Sequence, residues 1–137
     1  MYLLDTNVVS ELRNPKPLVG VIAWLEAVAD NDIFLSAVTI AELQAGIELT
    51  RRQDPTKARE IEVWVNEIAN SFQILPMDAR AFRQWAQLMD GKSNHLIEDA
   101  MIAATALVHR LTVVTRNARD FHSFGVPLIN PFTRKSG

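Results

Sequence analysis

Apolar and polar residues follow two different rhythms along this chain. Short runs of leucine, isoleucine, valine and phenylalanine are typical of buried strands. Between them lie longer stretches in which apolar residues recur every three or four positions, as on one face of a helix. The short runs predict strands at 2–4, 33–35, 72–75, 112–114 and 126–129. The longer stretches predict helices at 8–12, 19–29, 40–50, from after Asp54-Pro55 to about 70, from the N-cap Asp78 to 88, and at 97–109.

Strands that alternate with helices are typical of α/β proteins, so we expect a central parallel β-sheet flanked by α-helices. No linker, repeat or low-complexity stretch divides the chain, and we expect a single domain over residues 1–137. In such sheets, ligands bind beyond the carboxyl ends of the strands. Asp5 follows the first predicted strand and Thr115-Arg116-Asn117 follows the fourth, which places both at that edge.

Two further acids, Glu42 and Asp99, lie on the apolar sides of predicted helices. Asp99 projects away from the polar stripe of its helix, among small apolar residues. Glu42 likewise projects away from the charged face of its own helix. The residues expected to face solvent are Asn94, Glu98, Thr105 and His109 on the Asp99 helix and Gln44, Glu48, Arg51 and Arg52 on the Glu42 helix, whereas Ala45, Gly46 and Leu49 are expected beside Glu42.

Each of these acids also has a local explanation. Thr39 and Glu42 have the spacing of a helix capping box. Asp99 lies in a first helical turn, where the helix dipole favours a negative charge. Asp5 could cap the turn that follows it. Taken one at a time, the acids therefore leave a structural and a functional interpretation open.

Taken together, the three acids point to a cation. Carboxylates that converge repel one another unless a cation lies between them or their protonation shifts. The chain has no cysteine, and His95, His109 and His122 have no ligand-like spacing, so we interpret the histidines as structural or surface residues. The ligands would then all be oxygens, which favours a hard ion such as Mg²⁺ or Mn²⁺ over zinc.

Composition and charge narrow the classes of function. A net charge of −2 argues against tight, non-specific binding of nucleic acid by the whole surface, but it leaves room for a local basic rim. The lack of cysteine excludes a disulfide scaffold and suits a reducing cytoplasm. No apolar run is long enough to span a bilayer, and the first residues lack the pattern of a signal peptide. We therefore expect a cytoplasmic protein without a membrane partner.

Four segments of the chain resemble the motifs of one family. They are LLDTNVVSEL at 3–12, SAVTIAEL at 36–43, IEDAMIAATA at 97–106 and VVTRNARDF at 113–121. In this order they resemble the PIN-domain ribonucleases, and in particular the VapC toxins of type II toxin–antitoxin systems, including the FitB-like branch. The resemblance implies a PIN-like fold, a parallel sheet with an acidic metal pocket at its edge.

The resemblance also implies roles for individual residues. Asp5, Glu42 and Asp99 correspond to the three core acids, with Asp5 and Asp99 as metal ligands. The family varies at its fourth acidic position, which falls here on Asp120 or is partly taken by Asn117. Asn117 could equally be the N-cap of the turn that follows. Supporting or substrate-binding roles are implied for Thr6, Asn7, Thr115, Arg116, Asn117 and Arg119, with Arg13 and Lys16 as weaker candidates for phosphate contacts.

The activity implied by the resemblance is Mg²⁺-dependent cleavage of RNA phosphodiester bonds, with Mn²⁺ as an alternative ion. The expected substrate is a tRNA or another structured RNA. The ion would activate water, and either Asp99 or Glu42 would orient that water or take its proton. The expected partners are a VapB-like antitoxin and a second copy of the chain, in a homodimer and in a heterotetramer or larger complex.

Other classes of function fit part of the pattern. An aspartate-nucleophile phosphatase would also carry an acid after its first strand, but Asn7 stands where such enzymes usually have a second aspartate. A receiver-like binding module would need an acidic pair near the N-terminus, and this chain has a single early aspartate. An inactive nuclease-like protein would act only through its partner, and its acids would have no need to persist.

Overall fold

A five-stranded parallel sheet forms the centre of the molecule. The computed structural model describes residues 1–133. The strands lie in the order β3-β2-β1-β4-β5, with parallel pairing throughout. This confirms the predicted α/β class. The strands are β1 (Tyr2–Leu4), β2 (Ile33–Ser36), β3 (Gln73–Leu75), β4 (Thr112–Val114) and β5 (Leu128–Ile129).

Seven α-helices accompany the strands in the described part of the chain. Within residues 1–133, no helix is long and apolar enough to cross a membrane. The short helix at 118–122 was not predicted, and the last strand is shorter than the predicted 126–129. The helices are α1 (Thr6–Glu11), α2 (Val19–Ala27), α3 (Ala37–Arg51), α4 (Pro55–Ser71), α5 (Ala79–Met89), α6 (Ile97–His109) and α7 (Ala118–His122), with 3₁₀ turns at Asp30–Asp32, Asn94–Leu96 and Pro131–Thr133.

Four of the seven α-helices, namely α1, α3, α4 and α5, begin with a side-chain cap. Asp78 accepts a hydrogen bond from the Ala81 N–H at 3.0 Å, which confirms it as the predicted N-cap of α5. The N-cap of α3 is Ser36, whose hydroxyl accepts from the Val38 N–H, so this helix starts three residues before the predicted 40. Thr39 therefore lies inside the helix, and the capping-box explanation of Glu42 is wrong.

The sheet is buried on both faces, as expected for parallel strands between helices. Successive side chains of β1 point to opposite faces, so Leu3 packs into one core cluster and Leu4 into the other. The first cluster is formed with α6, α7 and the end of α5, and the second with α1 and α2. Burying each of these large apolar side chains contributes roughly 1.5–3 kcal/mol.

Two expectations about helix faces are wrong. Thr105 is fully buried rather than solvent-facing. Its hydroxyl can be buried because it donates to the Met101 carbonyl at 2.9 Å inside its own helix. On α3 the buried positions are Thr39 and Ile47, while Leu49 is 63% exposed and Ala45 and Gly46 are also exposed. The side of α3 that carries Glu42 thus runs along the molecular surface instead of into the core.

Candidate active site

A cleft of about 440 Å³ opens at the carboxyl edge of the sheet. The ends of β1 and β2, the start of α6 and the loop after β4 contribute to it, because parallel strands bring their following segments to one edge. Most of its lining residues carry a polar or charged side chain that ends in oxygen. They are Asp5, Thr6, Asn7, Ser10, Glu11, Asn14, Glu42, Asp99, Arg116 and Asn117.

Asp5 lies at the bottom of this cleft, 4% exposed, directly after the central strand β1. One carboxylate oxygen accepts the Thr6 N–H at 2.8 Å, so Asp5 is indeed the N-cap of α1. The other oxygen accepts from the Thr115 hydroxyl at 2.8 Å and from the Asn7 amide at 3.1 Å. Burial nevertheless raises the pKa of Asp5, because desolvation outweighs these three donors.

Glu42 reaches the cleft from the first half of α3. Its carboxylate accepts a hydrogen bond from the Thr6 hydroxyl at 2.9 Å. That hydroxyl also lies 3.0 Å from the hydroxyl of Thr39, which is fully buried. Since the single proton of Thr6 is donated to Glu42, Thr39 donates to Thr6. Burial raises the pKa of Glu42, and the nearby Asp5 and Glu98 carboxylates raise it further.

Asp99 lies in the first turn of α6, half-buried and facing Asp5. Burial and then the charges of Asp5, Asp120, Glu42 and Glu98, in that order, together raise its pKa to about 7. The negative charges of the cleft therefore act together on the carboxyl group of Asp99. The contribution of Asp120, from α7, shows that this acid lies near Asp99, although it is not among the residues lining the cleft.

The loop after β4 closes the cleft on its other side. The fully buried Thr115 hydroxyl donates to Asp5 and accepts the backbone N–H of Asn117 at 2.9 Å. Asn7 joins the two segments, because its side-chain oxygen accepts the Arg116 N–H at 3.2 Å. Asn117 occupies the N-cap position of α7 but makes no capping hydrogen bond through its side chain, which lines the cleft instead.

The predicted basic residues are placed very differently. Among the described residues that line the cleft, Arg116 is the only cation. Arg119 is exposed on α7 and does not line the cleft. Arg13 lines a neighbouring groove, and Lys16 is exposed in the loop before α2. Of these side chains, Arg116 has the position from which to contact a bound phosphate.

The donor set of the cleft suits a hard cation. It offers carboxylate, amide and hydroxyl oxygens, with neither cysteine nor histidine among the lining residues. Within residues 1–133, no three Asp, Glu or His side chains are arranged to hold one metal ion by themselves. A Mg²⁺ ion usually binds through one or two carboxylates and keeps several waters, so Asp5 and Asp99 provide enough direct ligands for it.

Two features of the cleft were missed from the sequence. Thr39 supports Thr6 and Glu42, but its position three residues before Glu42 had suggested a cap. The available signal was Ser36, which follows a strand and is itself a favoured N-cap residue. Ser10, Glu11 and Asn14 line the outer part of the cleft because α1 begins at Thr6, two residues earlier than predicted.

Comparison with known proteins identifies the family to which this fold belongs. The model of the PIN domain family matches residues 2–126. Toxin FitB of Neisseria gonorrhoeae is 37% identical over 139 residues, covering 96% of this chain and 99% of that protein. The crystal structure of FitAcB from the same organism has a TM-score of 0.82 at 36% identity, covering 98% of this chain and 100% of that chain.

Two further matches agree with the first. VapC ribonuclease Y4jK of Sinorhizobium fredii is 37% identical over 140 residues, covering 96% of this chain and 98% of that protein. A toxin–antitoxin complex from Klebsiella pneumoniae has a TM-score of 0.72 at 26% identity and covers 96% of this chain and 98% of that chain. The chain therefore belongs to the PIN-domain family, among the VapC and FitB toxins.

Proposed function

We propose that the protein is the toxin of a type II toxin–antitoxin system and that it is a metal-dependent endoribonuclease. The observation that carries this proposal is the convergence of Asp5, Glu42 and Asp99 from three separate elements into one open cleft. All three carboxyl groups have raised pKa values, and in the described part of the chain no ion pair neutralises them. Such a cluster is suited to binding a cation.

Mg²⁺ is the ion that we assign to the cleft. The PIN-domain ribonucleases are a metal-dependent family, and the oxygen-only donor set favours Mg²⁺ or the similar Mn²⁺. Asp5 and Asp99 would hold the ion directly, and Asp120 and Asn117 would support it from the side of α7. When bound, the ion supplies Lewis-acid activation of water and neutralises charge on the reacting phosphate.

The protein side chains would divide the remaining tasks between them. Glu42 is held in place through the Thr6 and Thr39 hydroxyls, so its free oxygen can orient the attacking water and take a proton from it. Thr115 and Asn7 fix the Asp5 carboxylate. Arg116 would contact a phosphate next to the scissile bond. Cleavage of that bond is expected to leave a 3′-hydroxyl and a 5′-phosphate.

The decisive experiment is a comparison of RNA ends after brief induction of the wild type and of Asp5→Asn. Asparagine is also a good N-cap, so this variant keeps the start of α1 and removes the charge. We expect new 5′-phosphate ends at discrete positions, for example in tRNA, with the wild type alone. Equal cleavage by Asp5→Asn, or no cleavage of total RNA by the wild type with Mg²⁺ or Mn²⁺, would refute the proposal.

We also propose where a VapB-like antitoxin binds. A second groove of about 340 Å³ lies between α1, α3 and α4 and is continuous with the acidic cleft, because both are lined by Thr6, Ser10 and Glu42. An amphipathic antitoxin segment could place apolar side chains in this groove and extend a cationic side chain to the acids. The remaining lining residues are Arg13, Leu43, Gly46, Ile47, Thr50, Ile61 and Trp64.

Gly46 provides a test of this groove. A Cβ atom placed on Gly46 has no neighbour within 4 Å, so a side chain there projects into open space. Gly46→Leu should fill the groove and weaken antitoxin binding at least about tenfold, because a buried clash costs 1–3 kcal/mol. Gly46→Ala, as the matched control, should bind nearly as the wild type does. Unchanged binding of Gly46→Leu in isothermal titration calorimetry would place the antitoxin elsewhere.

A homodimer is a prediction from the resemblance, and a cytoplasmic location is a prediction from the composition of the chain. The exposed side of α3 meets the start of α6 in a shallow apolar hollow that is suited to a second copy of the chain. The molar mass of the purified protein, measured by light scattering, tests the dimer. The molar mass of its complex with the antitoxin tests the heterotetramer. The residues of this hollow are Val38, Ala41, Glu42, Ala45, Ile97, Glu98 and Met101.

The phosphatase alternative fits the geometry less well. Aspartate-nucleophile phosphatases usually carry a second aspartate two residues after the nucleophile, whereas here Asn7 takes that place and joins Thr6 and Thr115 as a hydrogen-bond donor to Asp5. The residue that replaces a second aspartate is thus part of the structure that restrains Asp5.

A further inference from the structure

Arg116, the only cation among the described residues that line the cleft, contacts an aromatic ring. The guanidinium carbon of Arg116 lies 4.1 Å from the centroid of the Phe132 ring, within range of a cation–π interaction. Phe132 belongs to the 3₁₀ turn at Pro131–Thr133, after the last strand, and it also packs against the core cluster around α1 and α2. No other aromatic residue contacts a cation in this way within residues 1–133.

The backbone of Arg116 is held from both sides. Its N–H donates to the Asn7 side chain at 3.2 Å, and its carbonyl accepts from the Asn130 amide at 3.4 Å. Asn130 in turn accepts the N–H of Phe132 at 3.0 Å, which ties the ring to the same segment. The neighbouring Thr115 N–H donates to the Ile129 carbonyl at 2.9 Å. The segment 129–132 thus fixes both the backbone and the side chain of Arg116.

The guanidinium itself is left available. Within the described residues it forms no ion pair and no side-chain hydrogen bond, so its five N–H groups can be donated to a ligand. This is unusual beside a cleft that holds Asp5, Glu11, Glu42 and Asp99. An unrestrained arginine would be drawn onto these carboxylates, and its own side-chain entropy would oppose any one extended position.

From this geometry we infer that Phe132 is a positioning residue, which keeps the Arg116 guanidinium at the rim of the cleft to receive an RNA phosphate. The inference rests on the proposed nuclease function. The ring stabilises the guanidinium at 4.1 Å and uses none of its N–H groups, which can be donated to phosphate oxygens. Arg116 is accordingly pre-organised before RNA arrives, which lowers the entropy lost on binding.

The test separates substrate binding from chemistry. Phe132→Leu should raise KM for RNA about two- to fivefold at unchanged kcat, because a partly exposed cation–π contact is lost. Phe132→Tyr keeps the ring and should behave as the wild type. Arg116→Ala should raise KM as well, and the Phe132→Leu/Arg116→Ala double variant should be no worse than Arg116→Ala alone.

Two controls separate this role from a merely structural one. Phe72 is another partly buried phenylalanine of the same core cluster, and Phe72→Leu should lower the melting temperature without changing KM. The Nε–H proton of Arg116 should show an upfield ring-current shift in the NMR spectrum of the wild type, which Phe132→Leu removes. Additive effects in the double variant, or an unchanged KM for Phe132→Leu, would overturn the inference.

The failure of the underlying function gives a different result. If the wild type cleaves no RNA, the proposed nuclease fails, whereas the NMR shift still reports whether the ring holds Arg116. If the wild type cleaves RNA but the shift is absent, the positioning role fails and the nuclease stands.

Discussion

Acidic side chains in two regions of this molecule have opposite surroundings. On the surface between α3 and α4, Arg51 lies 3.1 Å from both Glu48 and Glu62, and Gln44 donates to Glu48 as well. These hydrogen bonds, that of Arg51 first, lower the pKa of Glu48. In the cleft, burial raises the pKa of Asp5, Glu42 and Asp99, and neighbouring carboxylates raise the pKa of Glu42 and Asp99 further.

The difference distinguishes acids that are paired within the chain from acids that are available to a ligand. An acid with its own arginine is satisfied within the chain, and exposed pairs of this kind add little to stability. Acids that are buried together without a cation cost stability in the ion-free protein, so their presence requires another explanation. The explanation that the proposed function gives for the cleft is binding of a cation that the chain itself does not supply.

The largest effect is expected from Asp99→Asn. Loss of this carboxylate should reduce RNA cleavage by at least about 10²-fold, since it removes a metal ligand at the centre of the acidic cluster. The same change should raise the melting temperature of the metal-free protein by a few degrees at about pH 8, because it removes the cost of burying the charge and the repulsion by Asp5 and Asp120. Cleavage rates and differential scanning calorimetry measure the two effects.

Glu48→Gln is the matched change in the paired region. It should leave cleavage unchanged and lower the melting temperature slightly, because the contact with Arg51 weakens. The two isosteric substitutions are thus expected to shift stability in opposite directions. A gain in stability from Glu48→Gln, or a loss from Asp99→Asn, would remove the distinction between the two regions.

A smaller effect is expected from pH in the metal-free protein. The pKa of Asp99 is about 7 in the folded state, against an ordinary value of 3.8. The unfolded chain therefore loses its proton first as pH rises, so Asp99 lowers the free energy of unfolding progressively from about pH 4 to about pH 7. Below this window the cost is absent, and above it the cost is complete. Thermal melts across the window measure the trend.

Divalent ions should reverse this trend. Protons and Mg²⁺ compete for the same carboxylates, so millimolar Mg²⁺ should raise the melting temperature at about pH 8 and have little effect at about pH 5. Asp99→Asn should lose most of this response, while Glu48→Gln should keep it. Equal stabilisation by Mg²⁺ at both pH values would show that the ion acts outside the cleft.

Sequence pattern identified the elements that depend on strong local signals. Asp5 could be placed at the sheet edge because a short apolar run precedes it, and Asp78 was recognisable as a cap because a clear helical pattern follows. Asp99 could be set apart from Glu98 because their directions on a helix differ by about 100°. The assignment of catalytic roles to these residues is still a prediction.

Tertiary contacts decided what the pattern left open. Thr39 is placed by a hydroxyl from another helix, which no local spacing reveals. Leu49 is apolar but exposed, because α4 covers only the side of α3 that carries Ile47. Nothing in the sequence pattern distinguishes Phe132 from the other aromatic residues, and only the fold places Arg116 against its ring. Long-range contacts of this kind depend on which elements become neighbours.

Asp5 has two roles in this structure, as the N-cap of α1 and as the most buried acid of the cleft. Serine, threonine or asparagine could begin the helix about equally well, yet none of them brings the negative charge. Folding alone would thus tolerate several residues at this position, whereas the proposed metal site requires a carboxylate. Replacement of Asp5 by one of these residues would yield a chain that still folds and still binds its antitoxin but is no longer toxic.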